Sequence, residues 1–238
     1  MMMGLLLWAN DKKIMATEDY IVGNLKKDYE ETYSKLGNQW DKYAQRGHDI
    51  IDKVQKEGLL LVGINPSFDE SFEGPCASVV RDSDNGGYQH PYFVKPKKLN
   101  EDIGIGRFSN VDMFSVRTRH QYVVQAIVND RDLREFVEEQ LGLFRKIVNG
   151  ASPRAIVVIN ALASNLIRTG RALGALDYDD VLGVDLYKIG DKRVPVFYSG
   201  MLSGAYAVDN GSFDRLIWHI KYVLNMQSEN SSQLRVNS

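Results

Sequence analysis

The sequence predicts an α/β protein, a three-layer α/β/α sandwich around a central, mainly parallel sheet of four strands. Four short apolar runs that end in turn residues alternate with segments whose apolar residues recur at helical spacing. Such runs are typical of strands that helices cover on both faces. The chain has 238 residues, enough for one such core, and its 44% hydrophobic and 25% charged content is that of a globular protein.

We expect three regions along the chain. Residues 1–57 are predicted to form an N-terminal arm and a helical extension packed on the core, because apolar residues from Tyr20 to Val54 recur three and four positions apart. Residues 58–226 hold the predicted α/β domain. Residues 227–238 are rich in serine and asparagine, and we predict that they are disordered.

The elements of the domain follow in order. The predicted strands are 59–64, 108–114, 155–159 and 194–198, with a further strand or hairpin arm at 181–189. The predicted helices are 132–148, 163–173 and one that begins near Ser212. Between 67 and 107 turn residues dominate, so we expect a long loop that folds over the end of the first strand.

Composition and charge narrow the possible partners. The net charge of −2 excludes a wholly basic protein, so any contact with DNA must be a local patch. The single cysteine, Cys76, forms neither an internal disulfide nor a zinc site of paired thiolates, and we expect no metal and no other cofactor. No run reaches the roughly 20 apolar residues that span a membrane, and no export signal is recognisable. A cytoplasmic protein without a membrane partner is the expectation.

The first strand ends in the turn Gly63-Ile64-Asn65-Pro66-Ser67. In an open α/β sheet, ligands bind beyond the carboxyl ends of the strands, so Asn65 is a site candidate from its position. Asn-Pro-Ser is also common in ordinary turns, and the turn alone leaves both interpretations open. Asn160 and Ser199 follow the third and fourth strands and are expected along the same edge.

This turn resembles the first motif of the uracil-DNA glycosylase superfamily, closest to the Gly-Ile-Asn-Pro-Gly form of the mismatch-specific uracil (thymine) glycosylases. Two further stretches match in the expected order. Tyr88-Gln89-His90-Pro91 resembles the segment whose aromatic ring stacks on the extruded base, and residues 199–203 resemble the second motif, which enters the minor groove. The likeness covers residues 58 to about 224. Phe197 and Tyr198 depart from the family's Asn-Pro or His-Pro, and the second loop has no histidine.

The resemblance implies a DNA glycosylase of base excision repair that removes uracil or a related damaged or mismatched base from double-stranded DNA. Asn65 would position the attacking water, and Tyr88 would stack on the base. The other implied substrate contacts are Gly63, Ile64, Pro66, Ser67, His90, Asn160 and Ser199. The implied DNA contacts are Gly200, Met201, Leu202, Ser203, Arg117 and Arg119, with Met201 or Leu202 as the wedge behind the extruded nucleotide.

The residue types suit that reaction. A glycosidic bond breaks through an oxocarbenium-like state and leaves an anionic base, which backbone N–H groups of the first turn and near Asn160 are expected to bind. A carboxamide cannot accept a proton as a carboxylate does, so Asn65 can only orient the water. We therefore expect slow turnover that favours mispaired bases, because these are extruded more easily.

Two alternatives stay open. A non-catalytic nucleic-acid or nucleotide-binding protein on the same fold would suit the acidic charge and the altered second motif, and salt-dependent DNA binding without base release would select it. A small-molecule hydrolase would combine His90 and His120 with Ser199 or Ser203, although no Gly-x-Ser-x-Gly turn is present.

Overall fold

A computed structural model describes residues 19–72, 74–81, 90–204 and 207–236. Its strands are β1 (Tyr20–Ile21), β2 (Asp49–Ile51), β3 (Lys53–Val54), β4 (Leu59–Gly63), β5 (Val79–Arg81), β6 (Phe108–Asp112), β7 (Ala155–Val158), β8 (Asp177–Asp179), β9 (Val184–Ile189) and β10 (Lys192–Tyr198). Its α-helices are α1 (Lys26–Tyr33), α2 (Asp41–Ala44), α3 (Val94–Ile103), α4 (Gln121–Asn129), α5 (Arg134–Ala151), α6 (Ala161–Arg168) and α7 (Asn210–Val236). Short 3₁₀ turns lie at Val22–Leu25, Asn38–Trp40 and Pro91–Phe93.

The central sheet has the spatial order β6-β4-β7-β10-β9-β8. Its first four strands run parallel, whereas β9 and β8 are antiparallel additions. The predicted α/β class with a mainly parallel sheet is confirmed. The predicted number of four strands is wrong, because β9, which corresponds to the further strand or hairpin arm predicted at 181–189, and the short β8 extend the sheet to six within the described residues.

Helices lie on both faces of this sheet. Alternate residues of β4 point to opposite faces, so Leu60 and Val62 belong to the core under α4, α5 and α6, while Leu59 and Leu61 belong to the core under α3 and α7. Every residue of β4 is buried. This strand is therefore covered on both sides, as its continuous apolar run predicts.

The N-terminal region differs from the predicted helical extension. α1 packs against α5, but Ile50, Ile51 and Val54 lie in strands rather than in a helix. β2 pairs in parallel with β5, and the backbone N–H of Asp49 donates to the carbonyl of Ser115 at 3.1 Å. The spacing of these three apolar residues fits a helix as well as a short strand. Pairing with β5, which is distant in the sequence, favours the strand at Ile50 and Ile51.

Other segments also differ from prediction. α3 occupies part of the predicted long loop, and Pro96 is tolerated because it lies in the first turn, where a backbone N–H has no helical acceptor. α4 has no counterpart among the predicted helices. α7 continues to Val236, although residues 227–238 were predicted to be disordered. The sequence after Gly211 contains no glycine or proline that would end this helix.

Among the described helices none is both long and apolar enough to cross a membrane.

Candidate functional site

A cavity of about 550 Å³ opens at the carboxyl ends of β4, β6 and β7. That is the edge at which open α/β sheets bind ligands, and the volume suits a molecule of nucleoside size. The structure brings nine of the predicted site residues to its wall: Gly63, Ile64, Asn65, Pro66, Ser67, His90, Arg119, Asn160 and Met201. The edge expected from the strand order is therefore where these side chains meet.

The carboxamide of Asn65 is held in one orientation. Its Nδ2 donates to the carbonyl oxygen of Pro66 at 2.9 Å and to that of Thr118 at 2.7 Å. Carbonyl oxygens only accept, so the atom that faces them must be the amide nitrogen. Oδ1 has no hydrogen-bond partner within the described residues. Asn65 therefore offers an acceptor to whatever enters the cavity.

Asn160 has the opposite orientation. Its Oδ1 accepts from the backbone N–H groups of Leu162 and Ala163 at 2.9 and 3.2 Å and so caps α6. The cap occupies the N–H groups of Leu162 and Ala163, so these two cannot bind an anionic base, and the expectation for the other N–H groups near Asn160 stays a prediction. With Oδ1 committed to the helix, Nδ2 is the end of Asn160 left to donate.

The loop after β6 is fixed by a cluster of two arginines. Arg117 donates from Nη1 to the carbonyl oxygens of Arg46 and Ala77 at 2.9 and 3.3 Å, and its guanidinium lies 5.0 Å from the Phe68 ring centre. Arg46 in turn pairs with Glu70 at 2.5 Å. These bonds use Nη1 of Arg117 to hold the loop, and the DNA contact predicted for this side chain stays a prediction. Arg119 is exposed at the cavity rim.

The segment that resembles the second motif is only partly at the site. Met201 lines the cavity, but Leu202 is 1% exposed within the core under α3 and α7, so the prediction that Leu202 could act as a wedge is corrected. Ser199 donates its backbone N–H to Val158 at 2.8 Å and does not line the cavity, which corrects its predicted substrate contact. Gly200 is exposed and Ser203 half-buried; neither lines the cavity.

Aromatic rings form part of the cavity wall. Tyr88, the predicted stacking platform, lies outside the described residues. His90 accepts from the backbone N–H of Tyr92 at 3.1 Å and caps the short turn that follows. Tyr92 and Phe93 line the cavity and meet edge to face, with ring centres 5.0 Å apart. Together with the imidazole of His90, they are the described rings that a flat ligand can contact there.

Sequence reasoning missed an acidic group at the cavity floor. Asp112 ends β6 opposite Gly63, and a methyl group at Gly63 would overlap its Oδ1. Arg81 lies between two carboxylates: its Nε is 2.6 Å from Asp49 Oδ1, and its Nη2 is 3.5 Å from Asp112 Oδ2. All three side chains line the cavity. A carboxylate at the last position of a buried parallel strand was the available signal for Asp112.

Burial sets the protonation behaviour of Asp112. The side chain is 13% exposed, and desolvation raises its pKa from 3.8 to about 6. The positive Arg81 opposes this rise, whereas the negative Asp49 adds to it. Asp112 also contributes to the raised pKa of Tyr92, which burial brings to about 12. The cavity thus contains a carboxyl group whose pKa burial raises to about 6.

Other chemistries find less support in this geometry. In the described part of the chain, no group of three histidine, cysteine, aspartate or glutamate side chains is arranged to hold a metal ion. His120 stacks on Tyr122 with ring centres 5.2 Å apart, and His90 caps its turn, so the described contacts pair neither histidine with Ser199 or Ser203.

Comparison with known proteins gives no family assignment. No protein-family model matches the chain, and no curated protein matches its sequence.

Proposed function

We propose that the cavity hydrolyses the N-glycosidic bond of a base extruded from DNA, as a uracil-DNA glycosylase-like enzyme acting on uracil or a related damaged or mismatched base. The observation that carries the proposal is the fixed carboxamide of Asn65. Both of its amide hydrogens are bound to loop carbonyls, and its oxygen is left to accept a hydrogen bond in the cavity. A water molecule bound there would be held in one position beside the sugar.

Two further features suit an extruded base. Tyr92 and Phe93 offer apolar rings to a flat ligand, and stacking of a base on an aromatic ring contributes roughly 1–3 kcal/mol. Asn160 offers Nδ2, a donor suited to the charge that develops on the departing base. Met201 and Arg119 at the wall and rim are candidates for contacts with the DNA itself, as are Gly200 and Ser203 outside the cavity.

The test is a single-turnover assay with enzyme in excess over labelled duplex that contains uracil opposite guanine, uracil opposite adenine, or unpaired uracil. We expect wild-type protein to create alkali-sensitive sites, and Asn65→Ala to do so at least about 100-fold more slowly, because loss of one positioning group commonly has that effect. The mispaired and unpaired substrates should react fastest.

Asn129→Ala is the matched control, since Asn129 is exposed at the end of α4 and lies outside the cavity. It should keep the wild-type rate. Equal rates for wild type and Asn65→Ala would contradict the assigned role of Asn65. Salt-dependent DNA binding by wild type without strand scission on any substrate would instead identify a non-catalytic binding protein.

A further inference from the structure

The proposed reaction lacks one component that Asn65 cannot supply. Water that attacks C1′ of the sugar must lose a proton, and a carboxamide has no basic site to accept it. A carboxylate in the same cavity could. Among the described residues two carboxylates line it, Asp49 and Asp112, and their surroundings differ in a way that separates their roles.

Asp49 is committed to an ion pair. Its Oδ1 is 2.6 Å from Arg81 Nε, so its charge is balanced by a direct charge-assisted hydrogen bond. Within the described part of the chain Asp112 has only the longer contact of 3.5 Å to Arg81 Nη2, and its Oδ1 lies against Gly63. A short partner keeps a carboxylate from taking a proton, so Asp112 is the better acceptor of the two.

The position of Asp112 is also set by the fold. Asp112 is paired with Gly63 in the strand register, and Gly63 lies two residues before Asn65 in the chain. The loop that follows Asp112 returns to the same turn, since Thr118 accepts from Asn65 Nδ2 and donates its backbone N–H to Pro66 at 3.1 Å. The φ angle of Gly63 is not in the left-handed region, so glycine serves there to make room for the carboxylate.

We propose that Asp112 is the proton acceptor of the reaction, a catalytic role that rests on the proposed function. In the step, an O–H bond of water breaks and its proton passes to the Asp112 carboxylate. The water oxygen bonds to C1′, the C1′–N bond breaks, and its electron pair leaves with the base. Asp112 then returns the proton to the departed base anion, so that one water is consumed for each base released.

The groups around Asp112 predict how the reaction depends on pH. Asp49 on β2 raises the pKa of Asp112, whereas Arg81 on β5 lowers it. Tyr29 of α1 and Tyr92 are neutral at the relevant pH because burial raises the pKa of both. His90 and Arg119 lie at the cavity wall and rim. The carboxylate is the required form, so the rate should rise with pH and level off above the pKa of Asp112, which is about 6.

The experiment is the pH profile of single-turnover base release between pH 5 and 8 for wild type, Asp112→Asn and Asp49→Asn. Wild type should rise about tenfold per pH unit below the inflection. Asp112→Asn, which keeps the side-chain shape, should lose the inflection and fall at least about 100-fold at pH 8. Asp49→Asn should move the inflection to lower pH, because the Asp49 charge raises the pKa of Asp112.

The possible outcomes distinguish the role of Asp112 from the glycosylase function on which it rests. A wild-type protein that releases base with a pH-independent rate, or an Asp112→Asn variant with the wild-type profile, would overturn the role of Asp112 and leave the glycosylase proposal standing. No base release by wild type at any pH would overturn both. A purely structural role for Asp112 would lower the rate but would give no shift of the inflection in Asp49→Asn.

Discussion

Replacing Asn65 with aspartate is expected to destabilise the protein by about 3 kcal/mol at pH 8. The substitution turns a carboxylate oxygen toward the carbonyl oxygens of Pro66 and Thr118, which now accept from Asn65 Nδ2 at 2.9 and 2.7 Å. Two hydrogen bonds of about 1 kcal/mol each are lost, and repulsion between like partial charges is added. Urea unfolding of wild type and variant measures the difference.

Asn65→Ala is the comparison for this prediction. It loses the same two hydrogen bonds without adding a charge, so it should cost about 1–2 kcal/mol. The carbonyl of Pro66 also keeps its bond from the Thr118 N–H at 3.1 Å. Below about pH 4 the aspartate is protonated and can donate one hydrogen bond, so the two variants should converge. An aspartate variant as stable as wild type at pH 8 would contradict the described orientation of Asn65.

Asp112→Asn is expected to stabilise the protein by about 3 kcal/mol at pH 8, although it should inactivate the proposed enzyme. The folded-state pKa of Asp112 is raised from 3.8 to about 6, so the folded protein holds this proton more tightly than the unfolded chain does. Stability from this group is therefore present below about pH 4, falls as the pH rises to about 6, and stays low above it. A shift of about two pKa units corresponds to roughly 3 kcal/mol.

The measurement is the free energy of unfolding of wild type and Asp112→Asn from pH 4 to 8, taken as the difference between the two proteins. The difference in free energy of unfolding should be near zero at pH 4 and should increase between pH 4 and 6. Asp49→Asn serves as the control: it breaks a 2.6 Å ion pair with Arg81 and should not stabilise the protein. A difference that is constant with pH would contradict the raised pKa of Asp112. A gain in stability with loss of activity is the pattern expected where a charged group is buried for function.

Strand-level features were predictable because they depend on local pattern. The run from Leu59 to Gly63 is apolar at every position, and only a strand covered on both faces needs that. Its parallel neighbours and the shared edge with Asn65 and Asn160 follow from the alternation of strands and helices. The orientation of the Asn65 side chain could not be predicted from the sequence, because its partner Thr118 lies 53 residues away and no local pattern shows which carbonyl will accept its hydrogen bond.

The acidic floor of the cavity shows why the rest could not be predicted. Asp49 and Arg81 reach the site only because β2 pairs with β5, and neither short strand stands out in the sequence. Ile50, Ile51 and Val54 fit helical spacing equally well, so long-range pairing overrides the local pattern. Leu202 is a similar case: its burial depends on the core under α3 and α7, which the motif alone does not reveal.

The central claim is that the cavity around Asn65 releases a base from DNA. Its most direct test is to incubate excess wild-type protein with duplex containing uracil opposite guanine and to measure free base by mass spectrometry together with abasic sites in the same sample. We predict free uracil and abasic sites in equal amounts, both lost in Asn65→Ala and retained in Asn129→Ala. Bound but unaltered DNA, with no free base from any uracil-containing substrate, would contradict the claim.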